Sequence, residues 1–283
     1  MAFSKETLTT INSYGYSPHA LSQYLEWVKS ILASHDQSYK PVIISIAPSD
    51  PEELQKMLHS IQTLRRRLRD GKASPGKSRI AVELNASCPN ITNSAPLGYT
   101  PAASLFPLIL VLADAFLGDP TLTIGIKMPP YVYHEQFTDF LRPLPSLVTD
   151  VDGKKRCPIS FLTCTNTLGN TLLFYGQTTK ANSSEASQQF AVPTTLGGLA
   201  GESIHALSLG NVFTFRQLID SKPYAEKGLG DIKIIGVGGV TSKEAAERMR
   251  KAGADAVACA TLLGKAGVRA FEIIGKEDGR AML

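Results

Sequence analysis

The segment Glu83-Leu84-Asn85-Ala86-Ser87-Cys88-Pro89-Asn90 holds the side chains best suited to chemistry. A short apolar run, Arg79 to Leu84, ends in a cluster of asparagine, serine and cysteine that a proline interrupts. A strand ending this way delivers amide, hydroxyl and thiol groups at its C-terminal end, where barrel and open α/β folds carry their active sites. A cysteine there acts as base or nucleophile when its thiolate is partly exposed in a polar setting. Fully buried, the same residue is an inert small hydrophobe. The local sequence leaves both readings of Cys88 open.

Three other places share this character. Lys127 closes the apolar run Leu122–Met128. A lysine there is costly unless it is paired or reaches the rim. Asn166 and Thr167 follow the run Ile159–Thr165. The run Ile232–Val237 leads into Gly238-Gly239-Val240-Thr241-Ser242, which opens a helix, and Asp255–Ala260 leads into Thr261 and a further helix. Free N–H groups at two successive helix starts make a cradle for an anion. In (β/α) barrels such a cradle follows strands seven and eight. A glycine-rich turn alone would be read as an ordinary tight turn.

Six runs must position these groups: Pro41–Ala47, Arg79–Asn85, Leu122–Met128, Ile159–Thr165, Ile232–Val237 and Asp255–Ala260. None alternates with polar residues, as expected of strands buried on both faces. Helices are predicted between them, over Pro101–Leu117, His134–Leu141, Ile204–Ile219 and Ser242–Ala252, with another beginning at Pro51 behind Ser49 or Asp50 as cap. A first helix, Pro18–Ala33, precedes the strands, and Leu21, Tyr24, Leu25, Val28, Ile31 and Leu32 are its expected core stripe; Trp27 lies off it. Gly71–Lys77 and the polar stretch Gln177–Ala191 are expected to be loops. Repeated strand–helix alternation implies a parallel sheet. Six strands suit an open sheet or a barrel short of two units, since a closed barrel needs eight.

The 283 residues carry 29 basic and 25 acidic side chains, a net charge of +4, which is too mild to point to nucleic acid. The basic run Arg65-Arg66-Arg67-Leu68-Arg69 is expected to be a solvated helix end that complements the helix dipole. Four cysteines without a CxxC pair suggest reduced thiols, a cytoplasmic setting and no zinc. No apolar run is expected to approach the roughly 18 residues of a membrane span, and Met1–Thr10 carries no apolar signal core.

Six motifs in order carry a family resemblance: Ile11-Asn12-Ser13-Tyr14-Gly15, Asn85-Ala86-Ser87-Cys88-Pro89-Asn90, Gly125-Ile126-Lys127-Met128-Pro129-Pro130-Tyr131, Thr165-Asn166-Thr167-Leu168-Gly169-Asn170, Gly197-Gly198-Leu199-Ala200-Gly201 and Gly236-Val237-Gly238-Gly239. From about Thr10 to Ile274 the chain resembles dihydroorotate dehydrogenase, in its soluble, fumarate-linked class 1A branch. The resemblance implies a (β/α)8 TIM barrel that binds FMN, passes a hydride from dihydroorotate to it, and returns electrons to fumarate. It implies a cytoplasmic homodimer with no membrane or nucleic-acid partner. It places the catalytic base at Cys88 and the orotate ligands at Asn12, Asn85, Asn90, Asn166 and Thr167. Around the flavin it places Asn85, Lys127, Gly201, Gly238, Gly239, Ala260 and Thr261. Thr167 stands where the family usually has serine, and Ala260 where it usually has glycine. The family also begins with two further βα units, so the expectation is one barrel domain over 1–283, incomplete at both ends, that binds FMN weakly or not at all and by itself is colourless, poorly soluble and inactive. A flavin-free, inactive remnant and the pyrimidine-reducing flavin barrel of dihydropyrimidine dehydrogenase are the alternatives.

Overall fold

The structure, a computed structural model, describes residues 1–15, 17–34, 40–71, 78–87, 97–179 and 189–275. In chain order its strands and helices begin with β1 (Ala2–Phe3), β2 (Thr9–Asn12), α1 (Leu21–Ser34), β3 (Val42–Ile46), α2 (Pro51–Leu68), β4 (Ile80–Asn85), α3 (Phe106–Gly118), β5 (Thr123–Met128) and α4 (His134–Leu141). They continue with β6 (Thr149–Val151), β7 (Lys154–Arg156), β8 (Phe161–Cys164), β9 (Leu168–Leu172), β10 (Leu196–Gly201), α5 (His205–Asp220) and α6 (Lys222–Tyr224). The last are β11 (Lys233–Val237), α7 (Lys243–Lys251), β12 (Ala256–Ala258), α8 (Thr261–Ala266) and α9 (Arg269–Gly275).

The six apolar runs form one curled parallel sheet, a partial barrel, in the order β12-β11-β8-β5-β4-β3. Its register aligns the polar positions. Ser45 pairs with Glu83, Asn85 with Lys127, and Lys127 with Thr163. Val82, Leu84, Ile124, Ile126, Leu162 and Ile234 are fully buried and belong to the core shared with the helices. Each such side chain contributes roughly 1.5–3 kcal/mol by leaving water. Glu83 is buried as well, and its two carboxylate oxygens accept from Ser45 Oγ at 2.9 Å and Thr163 Oγ1 at 2.6 Å. A Cβ at Gly125 would overlap the Phe161 ring, so the glycine there makes room for the aromatic in the next strand.

Helix limits follow the local signals. Asp50 caps α2, accepting from Glu53 N at 2.8 Å, with Pro51 at the first helical position. Ser242 caps α7 through Ala245 N, and Gly253 follows that helix at φ 109°. In α1, Val28 and Leu32 are buried, but Ile31 is 48% exposed, as is Trp27 at 42%, so the expected core stripe is narrower than its spacing suggests.

Two expectations are corrected. Arg65 is not on a solvated face: it is 1% exposed, with Nε 3.0 Å from Asp70 and Nη1 2.6 Å from Asp119. It joins α2 to the turns before β4 and β5, and the rest of the basic run remains exposed. A helical stretch over Pro101–Gly118 also reaches 18 residues with a mean hydropathy of 1.8, long and apolar enough by composition to cross a membrane. Its Leu105, Leu108, Ile109, Leu112 and Phe116 lie in the core cluster, while Leu110 and Leu117 are exposed and 33% of the stretch is buried.

A second sheet, of four antiparallel strands in the order β1-β2-β10-β9, and the hairpin β6–β7 have no counterpart among the expected elements. β10 carries three glycines, which hide its strand character. They are there for close approach. A Cβ at Gly197 would come within 2.5 Å of Asn12 O, and one at Gly201 (φ 83°) would overlap Leu8 O.

Candidate functional site

The polar groups gather at the C-terminal ends of the parallel strands. Asn85 ends β4, Lys127 is the penultimate residue of β5, and Asn166 follows β8. Asn166 is nearly buried, and its Nδ2 donates to Asn85 Oδ1 at 3.1 Å and to Ser87 O and Oγ, both at 3.0 Å. Its Oδ1 accepts from Thr167 N at 2.9 Å. Ser87 Oγ in turn donates to Lys127 O at 3.0 Å. Three strand ends are thereby tied into one polar network, with Ser87 as its centre. Ser87 is 2% exposed and was not among the expected site residues, although it stands inside the motif.

Asn12 reaches the same region from the second sheet. Its Nδ2 donates to Gly198 O at 3.1 Å. A Cβ at Gly198 would lie 3.4 Å from Asn12 Nδ2 and would overlap Thr167 Oγ1. Gly198 therefore lets Asn12 and Thr167 converge.

A cleft of about 450 Å³, counting its open mouth, runs from Lys127, Asn166 and Thr167 past Gly201 to Gly238, Gly239, Ala260 and Thr261. All eight belong to the expected site. Gly238 (φ 126°) and Gly239 (φ 65°) form the turn after β11. Side chains there would run into Ser208 and His205 of α5. Thr261 Oγ1 is 3.0 Å from Thr10 Oγ1, which joins the start of α8 to β2. Lys127 is half-buried and makes no ion pair or side-chain hydrogen bond among the described residues. A half-buried ammonium without an acceptor is a costly group that an anionic ligand would satisfy.

Cys88 and Asn90, the expected base and one expected ligand, lie outside the described residues. The thiols that are described are unsuited to base chemistry. Burial pushes Cys164 far up, with the Glu83 charge adding to it, and pushes Cys157 up to about 11. Cys259 is raised by burial too. A larger hollow, about 1380 Å³, opens between α2 and α3, but Arg65, its buried cation, is already bonded to Asp70, Asp119, Gln62 and Thr121.

A curled parallel sheet, polar side chains at its C-terminal rim and a glycine turn at the penultimate strand–helix junction define the class: a partial (β/α) barrel, the architecture whose enzymes carry their sites at that rim. The chain belongs to the dihydroorotate dehydrogenase family, whose sequence model matches residues 2–282. This family is flavin-dependent. The chain is 28% identical over 274 residues to a probable dihydroorotate dehydrogenase A (fumarate) of Streptococcus pneumoniae serotype 4, an alignment covering 95% of this chain and 72% of the relative. It is 29% identical over 280 residues to putative dihydroorotate dehydrogenase A (fumarate) proteins of Streptococcus equi subsp. equi and of Streptococcus pyogenes serotype M18, with 97% and 73% coverage in both cases. The donor set along the cleft suits a flavin: an ammonium, an amide and hydroxyls at one end, and a glycine turn beside a threonine at the other.

Proposed function

We propose that this chain oxidises dihydroorotate to orotate in pyrimidine biosynthesis, with FMN as its cofactor and fumarate as the electron acceptor. The observation that carries the reading is the half-buried Lys127, without an ion pair or side-chain hydrogen bond among the described residues, in one cleft with Asn166, Thr167 and the Gly238-Gly239 turn. Family membership supplies the reaction class.

In the reaction the substrate loses a proton from one ring carbon and a hydride from its neighbour, and bound FMN is the hydride acceptor. Cys88 Sγ takes the proton. An unperturbed thiol near pKa 8.5 is partly thiolate close to neutrality, which a base needs. Asn12, Asn85, Asn90, Asn166 and Thr167 bind the pyrimidine. Their amides and hydroxyl offer donors and acceptors to a ring of alternating C=O and N–H groups that also bears a carboxylate. The network through Ser87 holds Asn85 and Asn166 before substrate arrives, so little rotamer freedom is lost on binding. Lys127 Nζ provides the positive charge that favours the anionic reduced flavin. Gly201, Gly238, Gly239, Ala260 and Thr261, which line the cleft, would hold the ribityl-phosphate arm.

Fumarate, entering after orotate leaves, uses the same site, giving a ping-pong pattern. The acceptor follows the streptococcal relatives, which are named as fumarate-linked enzymes. A cytoplasmic homodimer completes the proposal. Orotate formation with FMN and fumarate supplied, followed by its ultraviolet absorbance, tests it. Parallel double-reciprocal lines are expected, whereas turnover only with a quinone would refute the acceptor.

A further inference from the structure

We infer that His205 is a positioning residue for the flavin phosphate: its ring turns the Gly238 carbonyl away from the cleft, so that the Gly239 N–H is presented to it. The inference rests on the proposed flavin reading of this cleft. His205 Nδ1 lies 2.9 Å from Gly238 O, and Arg248 Nε donates to His205 Nε2 at 3.2 Å. The arginine makes Nε2 the acceptor, which leaves the ring proton on Nδ1, facing the carbonyl. A trans peptide is planar, with its C=O and N–H pointing in opposite directions. Holding the oxygen against α5 therefore sends the Gly239 N–H to the other side. Gly238 and Gly239 line the cleft, and His205 does not.

The turn needs an external restraint. Both residues are glycines at positive φ, whose backbone rotates at little steric cost. Neither can carry a side chain of its own, because Ser208 and His205 already fill the space behind them. A flipped 238–239 peptide would aim carbonyl lone pairs at a phosphate, replacing attraction with repulsion. His205 and Arg248, from two helices, oppose that flip.

The test compares FMN with riboflavin, which has the same ring and no phosphate, by quenching of flavin fluorescence on titration with the full chain. His205→Ala should weaken FMN by about three- to tenfold, the loss of one hydrogen bond, and leave riboflavin unchanged. His205→Asn should restore FMN affinity, because its amide N–H reaches the same carbonyl. Equal FMN affinity in wild type and His205→Ala, equal losses for both flavins, or no rescue by asparagine would each overturn the inference. If the wild-type chain binds neither flavin, the functional reading itself fails, and the inference fails with it. Wild-type protein that does not distinguish FMN from riboflavin would leave the ring site standing and overturn the phosphate role alone.

Discussion

Asn166 Nδ2 donates to Asn85 Oδ1 at 3.1 Å across 81 residues of sequence. The bond links the ends of β8 and β4, and β5 lies between those two strands in the sheet. It therefore spans the strand that carries Lys127, whose carbonyl accepts from Ala86 N at 3.2 Å and Ser87 Oγ at 3.0 Å. The groups assigned to substrate and to flavin share one hydrogen-bonded frame.

Removing the bridge should disturb both. Asn166→Ala leaves Asn85 Oδ1 and Ser87 O without this donor, at a cost of about 1–3 kcal/mol in stability. Orotate affinity should fall by more than tenfold, with a smaller loss of FMN affinity. Thermal denaturation and an orotate titration check this, and a variant with wild-type orotate affinity would take Asn166 out of the substrate site.

Lys127→Met keeps the length of the side chain and removes its charge. Turnover should fall on the order of 10²-fold, as when one electrostatic donor to developing negative charge is lost. The reduction potential of the bound flavin should drop, since the anionic reduced form loses its counter-charge. An unchanged potential would assign Lys127 a structural part only.

Thiol labelling separates Cys88 from the rest. Cys157, pushed up to about 11 by burial, and the fully buried Cys164 should alkylate slowly at pH 8. Modification of Cys88 should track the loss of activity, and orotate should protect against both. Peptide mapping by mass spectrometry reads the order. Inactivation that follows Cys157 or Cys259 instead would remove Cys88 as the base.

The ion pairs of Arg65 predict acid behaviour. Burial raises the Asp119 carboxyl, but the Thr121 hydroxyl and the Arg65 charge more than offset this and hold it below the usual carboxylate range. A carboxyl lowered in the folded state contributes stability above its unfolded pKa of about 3.9 and loses it as pH falls through the folded value. Asp119→Asn should therefore destabilise at pH 7 and flatten the decline in stability below about pH 4. Arg65→Ala, which strands buried Asp70, should cost about 3–5 kcal/mol. Urea denaturation at pH 7 and pH 3.5 measures both, and equal losses for Asp119→Asn at the two pH values would contradict the linkage.

How much of this can be read from sequence follows from burial. Strands β4, β5 and β8 are buried on both faces, so their apolar runs stand out without alternation, whereas β3 and β11 bury alternate residues and β12 is half-buried, and apolar composition alone marks them. Polar residues close or follow these strands, which is why the strand-end placement of Asn85, Lys127, Asn166 and the Gly238-Gly239 turn is legible in the sequence. The antiparallel sheet is not, because Gly197, Gly198 and Gly201 in β10 serve close backbone contacts made by residues far away in sequence. Arg65 looks like its exposed neighbours in a basic run, since its partners Asp119 and Thr121 come some 55 positions later. Ser87 and His205 act by holding other groups, and nothing in a single sequence marks a residue whose role is to hold another.

Anaerobic addition of dihydroorotate to the FMN-loaded protein tests the central claim most directly. The flavin absorbance should bleach in one exponential phase, with one equivalent of orotate released per flavin and the yellow colour restored by fumarate. Protein that binds FMN yet stays oxidised with saturating dihydroorotate, while a chemical reductant still bleaches it, would contradict the account.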